Sequence, residues 1–198
     1  MNILYVTSEV ARYAKTGGLA DVSAALPAYL GRAGHDVRVF LPYYSRVDER
    51  GAALEACGRM QFAPDVIHAN DWQTALAPLT LKVRYSWDRL FERTRTLLAI
   101  HNLHYQGTFP AAVVADTGLA DAANLFHQDQ LREGRLSFLL HGILYADGVA
   151  TVSPTYAREI LTPERGEALD AFLRWDVKRL VGIVNGIDAI EWDPATDK

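Results

Sequence analysis

The chain has 198 residues, 49% of them apolar and 22% charged, which is the make-up of an ordinary globular domain and excludes disordered and fibrous classes. Lys and Arg number 20 against 24 Asp and Glu, a formal charge of −4, so no basic stripe is available to hold a nucleic-acid backbone. The first apolar run, residues 3–6, is too short for a signal peptide or membrane span, and the single cysteine, Cys57, permits neither an internal disulfide nor a Cys-based metal site, which fits a reducing cytoplasm.

Residues 2–7 (NILYVT) form a short run rich in β-branched and aromatic side chains and predict a buried parallel strand. Leu19, Val22, Leu26, Tyr29 and Leu30 then recur at helical spacing; Pro27 predicts a kink, and Gly31 and Gly34 signal the stop. Residues 36–41 (DVRVFL) predict the second strand, closed by Pro42. The stretch 45–63, polar at first and containing Gly51 and Gly58, has room for at most one short crossover helix. Residues 65–69 (DVIHA) predict a third strand, followed by a helix over 72–85 that Pro78 interrupts. Residues 96–101 (TLLAIH) predict a strand leading into a loop over 102–110, and 130–145 carry helical spacing. Residues 148–152 (GVATV) read as a strand, 154–161 as a short helix with Ser153 as its N-cap, and 180–184 as the last strand. Strands alternating with helices, with no internal repeat, predict an α/β fold: Rossmann-like, doubly wound, with a mostly parallel sheet.

In such sheets ligands bind beyond the carboxyl ends of the strands, and the residues placed there are unusually polar. Ser8-Glu9 follows the first strand, and Lys15-Thr16-Gly17-Gly18 precedes the first helix. Two glycines at a helix N-terminus beside a lysine suit a phosphate, while a plain glycine turn with a solvated lysine has the same composition. No G-x-G-x-x-G fingerprint and no G-x-x-x-x-G-K-[ST] loop is present, which disfavours a nicotinamide dehydrogenase and a P-loop enzyme. After the third strand, His68-Ala69-Asn70-Asp71-Trp72 suits either a helix cap or a sugar, with amide and carboxylate matched to hydroxyls and Trp72 to the apolar face. His101 and His104 lack further ligands for a metal and read as single polar contacts. Val184-Asn185-Gly186-Ile187-Asp188 reads as a strand end and a turn.

Residues 1–44, with Lys15-Thr16-Gly17-Gly18-Leu19-Ala20-Asp21-Val22, together with 64–72, 101–107, 145–160 and 184–188, closely resemble the N-terminal domain of bacterial glycogen synthases and plant starch synthases, in the same order. The resemblance implies the N-terminal half of a GT-B glycosyltransferase. Residues 1–189 would be its catalytic N-terminal domain, shortened around 45–63, and 190–198, with Glu191-Trp192-Asp193-Pro194, the start of an interdomain linker, with the C-terminal domain outside the chain. It implies retaining transfer of glucose from ADP-glucose to the non-reducing end of an α-1,4-glucan, in the cytoplasm and without cofactor or metal. By matching position, Lys15 resembles the lysine on the donor diphosphate, and Gly17 and Gly18 give close backbone approach. Asp21 and Asp71 resemble acids that bind sugar or acceptor, His101 the histidine on the transferred glucose, and Asn102 and Asn185 further substrate contacts. His101 and Asp71 are the expected catalytic residues. The expected partners are ADP-glucose, the α-1,4-glucan, and either a C-terminal GT-B half or a second copy of the chain.

The chain departs from the family pattern at two further places. Arg12 stands where the family usually has proline, and Leu140-His141 follows Ser137-Phe138-Leu139 in place of a lysine-glycine or similar pair. Because the family's C-terminal domain neutralises the leaving diphosphate, this chain alone is expected to be inactive. The rival reading is a non-catalytic module that grips α-glucan or a synthase.

Overall fold

The computed structural model describes residues 1–11, 13–15, 17–41 and 52–186. Its centre is a six-stranded sheet built from β1 (Asn2–Val6), β2 (Asp36–Phe40), β3 (Val66–Asn70), β4 (Arg95–Ile100), β7 (Gly148–Thr151) and β8 (Leu180–Gly182), in the order β2-β1-β3-β4-β7-β8. Every pairing in it is parallel; Tyr5 lies opposite His68, and Ala69 opposite Leu98. The chain runs from β1 outward to β2, then returns across β1 to β3, so the winding reverses between β1 and β3. A two-stranded antiparallel ribbon of β5 (Thr108–Pro110) and β6 (Arg135–Ser137) stands apart.

Alternation along the strands sends Leu4, Ile67, Leu98 and Val149 to one face, where they are nearly or fully buried. Helix α2 (Ala52–Met60) brings Leu54 and Cys57 onto Leu4 and Ile67. Helix α6 (Phe138–Tyr145) brings Leu139, Leu140 and Ile143 onto Leu98 and Val149, and α8 (Asp170–Trp175) adds Leu173. Burying one such aliphatic side chain contributes about 1.5–3 kcal/mol, so this face supplies most of the apolar stabilisation. A third cluster, around Leu79, Phe126 and Leu136, packs outside it.

The opposite face, with Tyr5, His68, Leu97 and Ala150, meets Val22 and Leu26 of α1 (Gly18–Arg32) around a small cavity of about 90 Å³. Helix α1 has Asp21 in its first turn and Arg32 in its last, both matched to the helix dipole, and runs unbroken through the buried Pro27. Gly34, at φ +90°, makes the left-handed turn that ends it, while Gly31 lies inside the helix.

The structure corrects the expected helices in two places. The predicted helix over 72–85 is two, α3 (Asp71–Thr74) and α4 (Ala77–Arg84), because Pro78 sits in the first turn of the second, where its missing N–H costs nothing. The predicted helix over 130–145 is α5 (Gln128–Arg132), then β6, then α6, with Gly134 at φ +75° breaking the path. Ser153 caps α7 (Pro154–Glu159) as expected, its hydroxyl accepting the Tyr156 N–H at 2.9 Å. Arg12, Thr16, Pro42 and residues 187–198 lie outside the described residues. Among the described residues, no helix is long and apolar enough to cross a membrane.

Candidate active site at the strand mouths

A cleft of about 490 Å³ opens over the carboxyl ends of β1, β3 and β4, where the winding reverses. Gly17, Gly18, Asp71, His101, Asn102 and Asn185 all line it. Lys15 and Asp21 do not; they lie beside it as an exposed ion pair at 2.7 Å. Glu9, Gln73, Tyr105 and Val152 line it without having been singled out for a role in the sequence.

Gly17 stands at the N-cap of α1, and among the described residues no side chain makes the capping hydrogen bond. The Gly17 N–H donates to Glu9 Oε2 at 3.1 Å, so one carboxylate already occupies part of this anion-attracting end. A Cβ placed on Gly17 or Gly18 meets no atom within 4 Å, and neither residue has a left-handed φ. Folding therefore needs glycine at neither position, and the space a side chain would take is open cleft.

Asp71 follows β3 with φ +55°, a left-handed conformation that aspartate tolerates better than most residues. Its Oδ1 accepts the His101 N–H at 2.7 Å and faces the Asn102 N–H at 3.4 Å. Burial lifts the Asp71 carboxyl above the ordinary carboxylate range, while His101 and these backbone donors pull it back. Burial also holds the His101 imidazole below its usual value, partly offset by Asp71. His101 Nε2 lies 3.1 Å from Asn70 Oδ1. The site is thus a neutral imidazole beside a partly desolvated carboxyl group, opposite a helix N-terminus.

His104 does not join His101 as a ligand pair, since its Nδ1 lies 3.3 Å from Glu167 Oε1. Among the described residues, no group of three potential metal ligands converges. Trp72, read in the sequence as suited to a sugar's apolar face, stands part-buried at the cleft. Its indole lines the cleft but packs under Gly107 and against Phe109 and Phe138. A Cβ on Gly107, which has φ +59°, would fall 2.2 Å from Trp72 Cε3.

His141, where the family pattern is broken, is fully buried in α6. Its Nδ1 donates to the Ser137 carbonyl at 2.7 Å, and its Nε2 accepts the His127 N–H at 2.9 Å. Both ring nitrogens are used, so the substitution is accommodated as a neutral core histidine, with its pKa pushed down by burial to about 4.

Fold and cleft together define a Rossmann-like α/β domain with an open cleft at its topological switch point. The pattern of the starch synthase catalytic domain matches residues 2–52 and 50–175, and the chain belongs to that family. It is similar to glycogen synthase 2 of Geobacter sulfurreducens, 39% identical over 266 aligned positions that take in 100% of this chain and 54% of that protein. It is 37% identical to the glycogen synthase of Myxococcus xanthus, covering 100% of this chain and 55% of that one. The catalytic domain of starch synthase IV from Arabidopsis thaliana, solved bound to ADP and acarbose, superposes with a TM-score of 0.87 at 29% identity, covering 98% of this chain and 53% of that one. The chain spans about half the length of the curated relatives it matches.

Proposed function

We propose that this chain is the glucan-side half of a retaining glucosyltransferase that moves glucose from ADP-glucose to the non-reducing end of an α-1,4-glucan. The observation that carries the reading is the open space over Gly17 and Gly18 at the N-terminus of α1, facing Asp71 and His101 across one cleft. Backbone N–H groups there suit the donor diphosphate, and Lys15, released from Asp21, adds a point charge. His101 and Asn102 contact the transferred glucose, Asp71 and Asp21 the sugar or acceptor hydroxyls, and Asn185 the donor. In the transfer, the acceptor hydroxyl oxygen forms the new bond to the anomeric carbon as the bond to the diphosphate breaks. The leaving phosphate takes the hydroxyl proton, so the protein's share is orientation and charge stabilisation, with no cofactor or metal.

In this reading residues 1–189 form the N-terminal GT-B domain, 190–198 begin the linker, and a C-terminal half or a second copy of the chain supplies the remaining diphosphate contacts, in the cytoplasm. A shortening at 45–63 is supported by the two family matches meeting at 50–52, and by 266 aligned positions against 198 residues, a difference of 68.

The test joins this chain to the C-terminal half of the Geobacter sulfurreducens relative and follows labelled glucose from ADP-glucose into glycogen. The fusion is expected to transfer glucose, Asp71→Asn and His101→Ala to suppress it, and the chain alone to transfer none. A fusion without transfer, combined with maltooligosaccharide that shifts no amide signal at Asp71 or His101, overturns the reading. Glucan binding without turnover favours a binding module.

A further inference from the structure

Asn70 ends β3 at 1% exposure with its amide fully engaged. Its Nδ2 donates to the Val6 carbonyl at 2.9 Å and lies 3.4 Å from the His68 carbonyl. Both partners are pure acceptors, which fixes the orientation of the amide and makes the other terminus its oxygen. That oxygen accepts the Tyr5 hydroxyl at 3.2 Å and faces His101 Nε2 at 3.1 Å. Two oxygen or nitrogen lone pairs at this distance would repel, so Nε2 must carry a hydrogen. Tyr5 is fully buried, and burial keeps its hydroxyl protonated and able to donate. A neutral imidazole with hydrogen on Nε2 has its lone pair on Nδ1, and among the described residues nothing hydrogen-bonds that atom.

We propose that Asn70 is a positioning residue that locks His101 as the Nε2–H tautomer and so presents Nδ1 as a hydrogen-bond acceptor to a ligand hydroxyl in the cleft. Only the nature of that hydroxyl, a sugar's, rests on the transfer reading; the tautomer does not. The Asn70 side chain never reaches the ligand. It acts through the ring it orients, as an outer partner does for a metal-bound histidine. The sequence conceals this, since Asn70 meets Val6 and His101 at separations of 64 and 31 residues.

Long-range proton–nitrogen correlation on the ¹⁵N-labelled chain reads the His101 tautomer directly. The wild-type ring is expected as Nε2–H. Asn70→Asp, which keeps an acceptor oxygen, should retain that form, and Asn70→Ala should shift it toward Nδ1–H. A wild-type ring found as Nδ1–H, or one unchanged in Asn70→Ala, overturns the assignment; should Asn70→Ala fail to fold, the wild-type tautomer decides. In the fusion enzyme, Asn70→Ala should lower kcat roughly 10- to 100-fold with little change in KM for ADP-glucose. A fusion without transfer whose His101 is Nε2–H and responds to Asn70→Ala removes the transfer reading and leaves this one standing. An active fusion with His101 as Nδ1–H does the reverse.

Discussion

Gly18 separates a glycine kept for the fold from one kept for a ligand. It is the first residue of α1, its φ lies outside the left-handed range, and a Cβ there meets no atom within 4 Å. Alanine at such a site clashes with nothing in the folded chain and restricts the unfolded one, so Gly18→Ala should stabilise the domain by about 0.4–1 kcal/mol. For a domain of this size that raises the melting temperature by about 1–4 °C. The methyl group would project into the space through which a diphosphate approaches the helix backbone. Crowding by one carbon costs about 1–3 kcal/mol, or roughly 5- to 150-fold in ADP affinity. Thermal melting of the chain and calorimetric titration of the fusion with ADP read the two effects separately. A lowered melting temperature would show that the fold needs Gly18. A raised one with unchanged ADP affinity would show that the space over Gly18 is never filled, and the anion site would be wrong.

Gly107→Ala should do the opposite, losing about 2–4 kcal/mol in urea titration through a left-handed φ and a methyl driven into Trp72. Trp72 fluorescence should shift with it. Lys15→Ala should change chain stability by less than about 1 kcal/mol, because the pair with Asp21 is half exposed. In the fusion it should cost about 2–4 kcal/mol in transition-state stabilisation, read as kcat/KM for ADP-glucose. His68 and His141 are both pushed down to about 4 by burial, so from pH 6.5 down to 4 the unfolded chain binds protons that the native chain refuses. Stability should fall by about 3 kcal/mol per histidine across that window and stay level above it, and urea midpoints in which His141→Asn fails to flatten the slope would refute this.

The sheet was legible in the sequence because parallel strands buried on both faces appear as short apolar runs, and NILYVT, DVIHA and TLLAIH each fall on a strand within a residue. The residues that line the cleft were legible for a related reason: polar side chains directly after such runs have nowhere to lie but the strand mouths. Helical spacing misled over 130–145. Leu131, Leu136, Leu139, Leu140 and Ile143 continue one periodic pattern, yet Leu136 belongs to the outer cluster and Leu139 to the central one. The two sets point at different cores, and the change falls after Leu136, where β6 gives way to α6, without leaving a mark in the spacing. The packing that holds Trp72 was hidden because its partners, Gly107, Phe109 and Phe138, lie 35 or more positions away.

The two faces of β1 show why a rigid site forms here. Leu4 faces a wholly apolar cluster, whereas Tyr5, its neighbour on the other face, begins a buried polar chain. Glu9 gives its carboxylate to the Gly17 N–H and its carbonyl to Thr7 Oγ1 at 3.1 Å. Thr7 Oγ1 lies 2.9 Å from Ser23 Oγ, which lies 3.3 Å from the Tyr5 hydroxyl, and Tyr5 donates to Asn70, whose oxygen meets His101. With Thr7 donating to Glu9 and Tyr5 to Asn70, the single Ser23 hydrogen serves either Thr7 or Tyr5. A continuous row of close polar contacts, one of them without a hydrogen, thus runs from the glycine end of α1 to the imidazole. Each hydrogen-bonded link is satisfied only while its neighbours stay in place, and an orphaned buried group costs about 1–3 kcal/mol. An apolar floor of equal area would hold α1 against the sheet as firmly, but it would not fix the rotation of Tyr5, Asn70 or His101. The polar chain does fix it, and so the helix N-terminus and the histidine are set in register before any ligand arrives.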